Sequence, residues 1–329
     1  MSENRIRLRL SRTDLNPTGL THPCRRPGMH AVRLSVTTLY LAILLASWAL
    51  VWATLPVNGQ SGQLPMEPLH TSGQNVTAAF EGWFKNPDGS FSMLFGYFNR
   101  NVQQELDIPV GDNNRMEPGP ADQGQPTHFL PRRQWGVFTV TVPENFGTEK
   151  LTWTIVANGQ TTAVPAHLDA RWEISPFSDV GIGNTPPIIK FEEGGPSVQG
   201  PRGMSIALET TMPNPVTLNL WAADDAKTFQ GGKPLDTPPV TVTWSKFRGP
   251  GDVKFANSKP PVEKADGKWN PTPVFSGKAT TTATFSEPGE YVLHVVANDW
   301  SGDGGGGFQC CWTNGQVKVT VKPGAAGGR

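Results

Sequence analysis

From about residue 75 onward, apolar and polar side chains alternate in short runs that are separated by turns. In one such run Val240, Val242 and Trp244 share a face, while threonines occupy the opposite face. Alternation with a period of two is typical of strands that have one face buried. Uninterrupted helical periodicity is not visible in this part of the chain, so the sequence predicts an all-β protein.

The first group of predicted strands lies within residues 75–175. It begins with a hairpin around Asn86-Pro87-Asp88-Gly89, where proline presets one backbone angle and glycine accepts the left-handed conformation. Residues 107–134 are predicted to form a long irregular loop, and loops of that length inside a domain are often functional. Further strands are predicted at 135–142 and 150–158.

Residues 176–187 are rich in proline, glycine and serine and have no apolar period, so we predict a linker there. Beyond it, residues 188–322 contain eight short alternating runs with turn signals between them, which suggests a second β-sandwich. Residues 56–74 are predicted to be a polar linker, and residues 323–329 a disordered tail. The two predicted domains are expected to separate at 176–187.

The second half resembles a known family. The stretches that carry the resemblance are PVTVTWSKFRGPGDVKFAN, ATTTATFSEPGEYVLHVVAND and VKVTV. They are similar to polycystin-type (PKD-like) immunoglobulin-fold repeats of secreted and surface proteins. The resemblance implies that Trp244 is the core tryptophan of the third strand and Tyr291 the corner tyrosine of the sixth. The cysteine bridge of antibody domains has no counterpart, because Leu220 and Leu293 or Val295 stand at those positions.

The first half resembles the front part of uncharacterised secreted bacterial proteins, through FEGWF, GYFNRN, GDNN and DQGQPTHFLPRR. This second resemblance implies no activity. The fold class expected for the whole chain is therefore two immunoglobulin-like antiparallel β-sandwiches that follow an N-terminal signal or anchor helix.

Residues 1–55 form a predicted leader. Seven arginines within residues 1–33 precede an uncharged apolar stretch, Val36 to Leu55. A basic head before an apolar run is typical of a secretory signal, and Val51-Trp52-Ala53 offers a small-residue cleavage site. The stretch is also long enough to span a bilayer, so an uncleaved anchor is the alternative. In both cases we expect export to the periplasm or the cell exterior, with membrane contact only through this segment.

Removal of the leader changes the charge of the protein. The whole chain has 28 Lys and Arg against 28 Asp and Glu, and the first 53 residues hold seven of the basic and two of the acidic residues. The remainder therefore carries 21 basic and 26 acidic residues, a net charge of about −5. A negative net charge argues against nucleic acid or an anionic membrane as a partner.

Two of the three cysteines, Cys310 and Cys311, are adjacent, while Cys24 lies in the leader. In an oxidising compartment each remaining thiol has its neighbour or another molecule as a partner. Neighbouring Cα atoms are only about 3.8 Å apart, so a bridge would be strained, and two free thiols packed in a loop are the alternative. We predict a vicinal disulfide at a loop tip beside Trp312.

Two groups of oxygen-bearing side chains are candidates for calcium. Asp299, Ser301 and Asp303 match the first half of a calcium loop, but Cys310 stands at the twelfth position, which excludes an EF-hand. The second group lies in the long loop and consists of Asp112, Asn114, Glu117 and Asp122. For both groups solvated turns are the favoured interpretation, and calcium is the alternative.

Trp83, Tyr97 and Trp135 are candidates for a flat platform on which sugar rings stack. Aromatic residues at alternating strand positions are more often part of a core, so burial is the favoured interpretation.

The sequence contains no G-x-S-x-G, H-E-x-x-H or phosphate-binding glycine loop, and its histidines beyond the leader are scattered. We expect His294 on the surface of its strand and Asp224 and Asp225 as solvated charges at a strand end. The sequence therefore favours non-catalytic binding, adhesion or assembly, with protein or carbohydrate at the cell surface as partner. The alternatives are a carbohydrate-binding accessory protein and an unrecognised hydrolase.

Overall fold

The computed structural model describes residues 70–179, 181, 183–227, 238–299 and 310–324. These residues form eighteen β-strands and two short 3-10 turns, Glu144–Phe146 and Ala170–Trp172. The predicted leader, the greater part of the first predicted linker and the tail from residue 325 lie outside the described residues. Within those ranges, no helix has the length and apolar character that a bilayer span requires. The all-β prediction is confirmed.

The first sandwich uses the strands between residues 76 and 166. They are β1 (Val76–Lys85), β2 (Phe91–Asn99), β3 (Leu106–Asp107), β4 (Asn114–Glu117), β5 (His128–Phe129), β6 (Arg132–Val142), β7 (Leu151–Ala157) and β8 (Gln160–Ala166). The main sheets have the orders β1-β2-β6 and β4-β7-β8, and β3 pairs with β5. The rings of Phe95 and Trp153 meet edge to face at 6.0 Å in the core that these sheets share.

Two features of this sandwich differ from the sequence prediction. Strands β3, β4 and β5 form in or at the edge of the segment that was expected to be irregular, and β4 pairs with β7. Strands β6 and β7 belong to different sheets, so the turn at Glu144–Phe146 carries the chain from one sheet to the other.

A β-bulge in β1 changes which aromatic side chains share a face of the sheet. The register between β1 and β2 shifts between Phe80 and Gly82, which makes Glu81 the extra residue. Trp83 consequently lies in the same core as Phe80, whereas Phe84 belongs to a separate buried cluster. Simple alternation places Trp83 and Phe80 on opposite faces, so this feature was not predictable from the pattern.

The second sandwich contains the remaining ten strands. They are β9 (Ile188–Lys190), β10 (Val198–Gln199), β11 (Met204–Thr211), β12 (Val216–Asp224), β13 (Val240–Arg248), β14 (Val253–Phe255), β15 (Glu263–Lys264), β16 (Phe275–Phe285), β17 (Gly289–Asp299) and β18 (Trp312–Lys322). One sheet has the order β10-β9-β12-β16-β14, with β15 also paired to β16, and the other has the order β11-β18-β17-β13. All pairings are antiparallel except β11–β18, which is parallel. The eight predicted strands are present.

The order of these strands is that of an immunoglobulin fold. In one sheet β9, β12, β16 and β14 lie side by side in the order of strands A, B, E and D of that fold. In the other sheet β13, β17 and β18 lie in the order of strands C, F and G. Trp244 on β13 and Tyr291 on β17 are both buried, as predicted. The Tyr291 hydroxyl donates to the carbonyl of Glu287 at 2.9 Å and accepts the N–H of Gly251 at 3.1 Å. This is the tyrosine corner that the resemblance implied.

The two sandwiches share no sheet, but they bury a common apolar cluster, which we call the junction. It consists of Phe84, Leu94, Ile174 and Trp312. Phe84 and Leu94 lie on the face of their sheet that points away from the first core, and Trp312 begins β18. The outer face of one sandwich is therefore packed against the other, and this contact excludes water.

Polar contacts also connect the two sandwiches. Arg248 donates from two guanidinium nitrogens to the Asp122 carboxylate, at 2.9 and 2.8 Å. Lys246 Nζ lies 3.0 Å from Asp107 Oδ1. The described residues of both sandwiches belong to one compact unit, and the predicted linker contains the buried side chain of Asn184. Separation of the two sandwiches at residues 176–187 stays a prediction.

Candidate functional site

A cleft of about 300 Å³ opens beside the junction, and both sandwiches contribute to its lining. Strand β6 and the residues before it form one side, and β13, β17 and β18 form the other. The lining residues include Arg133, Trp135, Thr243, Lys259, Asn298 and Trp312. Among the described residues that line this cleft there is no carboxylate.

Trp135 is the exposed aromatic residue of this cleft, with 47% of its surface accessible. The Arg133 guanidinium lies 3.8 Å from the centroid of its ring, in the geometry of a cation–π contact. Arg133 also donates to the carbonyls of Tyr97 and Gln134, at 2.9 and 2.8 Å, and to the carboxylate of Glu81. Because several acceptors fix the guanidinium, it provides a rigid support for the indole.

Glu81, the bulged residue of β1, is bonded to Arg133, which lines the cleft. In addition to Arg133, its carboxylate accepts the N–H of Gly136 at 2.6 Å. Burial raises the pKa of Glu81, and the charge of Arg133 and the two hydrogen bonds oppose this rise only in part. The carbonyl of Gly136 accepts hydrogen bonds from Asn314 at 2.7 Å and from the Trp312 indole at 3.3 Å. The peptide groups of Gly136 therefore connect Glu81 in one sandwich to β18 in the other.

The three residues of the predicted aromatic platform lie in different environments. Trp83 and Tyr97 are buried, at 8% and 2% exposure, whereas Trp135 is exposed. The Trp83 indole donates to the carbonyl of Asp169 at 2.9 Å, and the Tyr97 hydroxyl accepts the N–H of Leu130 at 2.8 Å. The first two rings serve the core, as the favoured interpretation stated, and Trp135 is the one of the three that is available for stacking.

Asn114, one of the candidate calcium ligands in the long loop, is buried and bonded on both sides of its amide group. Its amide nitrogen donates to the carbonyls of Ile108 and Pro126, at 2.9 and 2.8 Å. Its amide oxygen accepts the indole N–H of Trp153 at 3.0 Å. The amide nitrogen of Asn114 thus satisfies two main-chain carbonyls of the loop, and its amide oxygen is bonded to the Trp153 indole.

The other candidates in that loop have separate surroundings. Glu117 pairs with Arg115 at 3.1 Å, Asp122 pairs with Arg248 at 2.8 Å, and Asp112 is exposed. Over the whole described part of the chain, no group of three or more His, Cys, Asp or Glu side chains is arranged to hold a metal ion. Two of the loop carboxylates, Glu117 and Asp122, thus take part in ion pairs, and calcium binding by this loop stays an alternative.

Cys310 and Cys311 are joined by a disulfide in the structure. The pair is not at an exposed tip: the two residues are 4% and 0% exposed and directly precede β18. The Cys311 sulfur lies 3.4 Å from the carbonyl oxygen of Asn184. The predicted position at a loop tip is therefore corrected to a buried position against the segment that leads into β9.

A group of acidic side chains at one end of the second sandwich was not expected from the sequence. Strand β12 ends at Asp224 and β17 ends at Asp299, and these two side chains are 3% and 2% exposed. Burial, with smaller contributions from the charges of Asp299 and Asp225, raises the pKa of Asp224 to about 7. The prediction that Asp224 is a solvated charge was wrong. Ser301 and Asp303, the partners expected for Asp299, lie outside the described residues.

His128 belongs to an ionic cluster that ties the two sandwiches together. Its Nδ1 lies 3.0 Å from Asp107 Oδ1, and its Nε2 lies 3.1 Å from Glu105 Oε2. Lys246 on β13 contacts the same Asp107 oxygen. Burial alone would raise the pKa of Asp107, but the hydrogen bonds from Lys246 and His128 outweigh it and hold the pKa below its usual value. The sequence did not predict this cluster, because its residues are far apart in the chain and no motif connects them.

His294 lies on the outer face of β17, as alternation predicts, but that face is covered. The side chain is 6% exposed, and its ring centroid lies 5.6 Å from that of Phe247. Burial lowers the pKa of His294 to about 4. The predicted surface position was wrong because the sequence of one strand does not show what packs on its second face.

Comparison with known proteins gives distant similarities. No family model matches the sequence, and a search of curated proteins finds no match. Among solved structures, the PKD domain of human KIAA0319 is 20% identical, with 41% of this chain and 98% of that chain covered and a TM-score of 0.19. The D00–D0 domain of intimin is 11% identical, covering 75% of this chain and 100% of that one, with a TM-score of 0.21.

A third structure is the sialic acid binding region of a Streptococcus sanguinis SK1 adhesin. It is 11% identical, covers 77% of this chain and 79% of that one, and has a TM-score of 0.21. Similarities at this level do not place the chain in a family. The immunoglobulin-like class of the second sandwich rests on its own strand order and tyrosine corner.

Proposed function

We propose that the protein is exported and acts without catalysis, by binding a partner at a cell surface in the cleft beside the junction. The observation that carries this proposal is the exposed indole of Trp135, supported from one side by Arg133. A large aromatic ring that is held rigidly loses little conformational freedom on binding, so it suits the centre of a binding site. Adhesion and assembly are roles of this class.

Export is supported by the order of basic and apolar residues in the first 55 positions. Adjacent cysteines beyond that leader fit an oxidising compartment, where a disulfide persists. Sequencing the N-terminus of the protein recovered after export would test this part separately. A new N-terminus near residue 54 is expected, and the intact leader would support the anchor alternative instead.

Carbohydrate is the second candidate ligand, and Trp135 is the observation that favours it. Sugar rings stack on exposed indoles, and Thr243 and Lys259 on the opposite side of the cleft offer hydrogen-bonding groups. The hydrolase alternative needs two carboxyl groups beside the bound sugar. The described residues that line this cleft provide none, so the cleft supports binding better than hydrolysis.

The test uses fluorescently labelled protein and intact cells of the source organism. Binding of the wild type is compared with that of Trp135→Ala and of Trp172→Ala, a matched control that is 44% exposed and does not line the cleft. We expect Trp135→Ala to weaken binding by about tenfold or more, and Trp172→Ala to bind like the wild type.

Pre-treatment of the cells identifies the ligand class. Periodate cleaves sugar diols, so a loss of binding after periodate indicates carbohydrate, whereas a loss after protease indicates a protein partner. Equal binding by the Trp135→Ala variant and the wild type would contradict the role of the cleft. Release of reducing sugar from the cells by the wild type would support the hydrolase alternative.

A further inference from the structure

Three segments of the chain meet at the end of the second sandwich where β12 and β17 stop. Asn184, which precedes β9, donates its amide nitrogen to the carboxylate of Asp299 at the end of β17. The next residue, Thr185, donates its hydroxyl to Asp225 at 3.0 Å, directly after the end of β12. The segment before β9 is therefore bonded to the ends of both strands, beside Asp224.

Two buried oxygen atoms in this region accept no hydrogen bond. Asp224 is 3% exposed, and its Oδ2 has no partner, although its Oδ1 accepts the N–H of Ala226 at 2.7 Å. Asn184 is 1% exposed, and its Oδ1 is also without a partner, while its amide nitrogen is bonded to Asp299. A buried acceptor without a donor is costly, so these oxygens indicate a ligand that takes electron pairs.

The charge of the region favours a cation as that ligand. The neighbouring residues Asn184 and Thr185 are bonded to Asp299 and Asp225, and Asp224 precedes Asp225, so three carboxyl groups lie at this end of the sandwich. Like charges that lie close together destabilise one another. Lys227 lies 3.3 Å from Asp225 and donates to the carbonyl of Gly183 at 2.6 Å. Asp225 therefore has Lys227 and a hydroxyl as partners and Asp299 has Asn184, whereas Oδ2 of Asp224 has no donor.

The side-chain oxygens of this region favour one class of cation. Carboxylate and amide oxygens are hard ligands, and Ca²⁺ takes six to eight of them in flexible geometry, including main-chain carbonyls and water. We propose that Asp224, Asp299 and Asn184 bind a calcium ion at this end of the second sandwich. The site has two carboxylates and one amide, so its affinity belongs in the range of about 0.1–1 mM that extracellular modules show. This inference is independent of the cleft.

The experiment uses the full chain after treatment with a chelator, and Ca²⁺ alone as the probe. Equilibrium dialysis should give one bound ion with a dissociation constant of about 0.1–1 mM. At 10 mM Ca²⁺ the thermal midpoint should rise by about 3–10 °C, because an ion that binds only the folded state stabilises it by mass action. Mg²⁺ should raise it less, since it dehydrates reluctantly and demands octahedral geometry.

The Asp224→Asn variant keeps the shape of the side chain and removes a charged ligand. We expect it to fold and to lose the calcium response. Asp266→Asn, at an exposed position, is the control and should respond like the wild type. Three outcomes would overturn the proposal: no bound calcium at 10 mM, an equal rise with NaCl of matched ionic strength, or an unchanged response in Asp224→Asn.

Discussion

Trp312 and Gly136 meet across the junction, where the indole N–H of Trp312 donates to the carbonyl of Gly136 at 3.3 Å. The indole occupies the space that a Cβ at position 136 would need. Gly136 has a φ of +53°, which few residues other than glycine adopt. The missing side chain in the first sandwich therefore allows the tryptophan of the second to be buried, at 2% exposure.

Gly136→Ala should lower the free energy of unfolding by about 2–4 kcal/mol, because the added methyl group combines a left-handed φ with overlap of the Trp312 ring. Urea denaturation measures the change. Gly159→Ala is the control: this glycine has a φ of +76°, but no atom lies within 4 Å of the added Cβ. It should cost about 1 kcal/mol, and equal losses in the two variants would contradict the steric role of Gly136.

Trp244→Ala should lower the free energy of unfolding by about 3–5 kcal/mol, the usual cost of truncating a large aromatic side chain in a core. Trp244 is 2% exposed in the core of the second sandwich, whereas Trp172 in the control variant Trp172→Ala is 44% exposed. The control should lose much less. A change near zero for Trp244→Ala in chemical denaturation would show that this ring does not support the core.

His294 should make the stability of the protein depend on pH. Burial lowers its pKa from 6.5 to about 4, so between these values the unfolded chain binds a proton that the folded protein does not. Stability should therefore fall as the pH decreases from about 6.5 to about 4, by on the order of 3 kcal/mol in total. Urea denaturation at a series of pH values, with the wild type and His294→Gln compared at each pH, measures this contribution.

The His294→Gln variant should lose that part of the pH dependence. The control, His70→Gln, replaces an exposed histidine and should keep the wild-type profile. If His294→Gln had the same profile as the wild type, proton binding at this position would not contribute to stability.

Cys310 and Cys311 should resist alkylation in the exported protein until a reductant is added. Removal of the leader takes away Cys24, so the pair has no third thiol in the chain with which to exchange. Intact-mass measurement should show no alkyl group before reduction and two after reduction of the unfolded protein. The bridge should add little global stability because the closed loop is minimal.

Two alkylated thiols before reduction would contradict the intramolecular bridge. A dimer mass that disappears on reduction would also contradict it and would point to a link between two molecules.

The sequence by itself determined eight of the ten strands of the second sandwich and the two residues that mark its fold. The alternation of Val240, Val242 and Trp244 follows from strand geometry, in which successive side chains point to opposite faces. Tyr291 was identified through the resemblance of its sequence surroundings to PKD-like repeats, and in the structure its hydroxyl bonds to the nearby carbonyl of Glu287. Both signals are local in the chain, and neighbouring residues are sufficient to produce them.

Only the tertiary structure decided what covers the second face of each sheet. Alternation assigned His294 to the outer face correctly, but that face is buried and lines a small cavity together with Tyr97 and His128 of the first sandwich. The bulge at Glu81 brought Trp83 to the same face as Phe80, because one extra residue in a strand moves every later side chain to the opposite face. Asp224 and Asp299 are 75 positions apart, and their burial at one end of the sandwich depends on long-range packing that no local pattern contains.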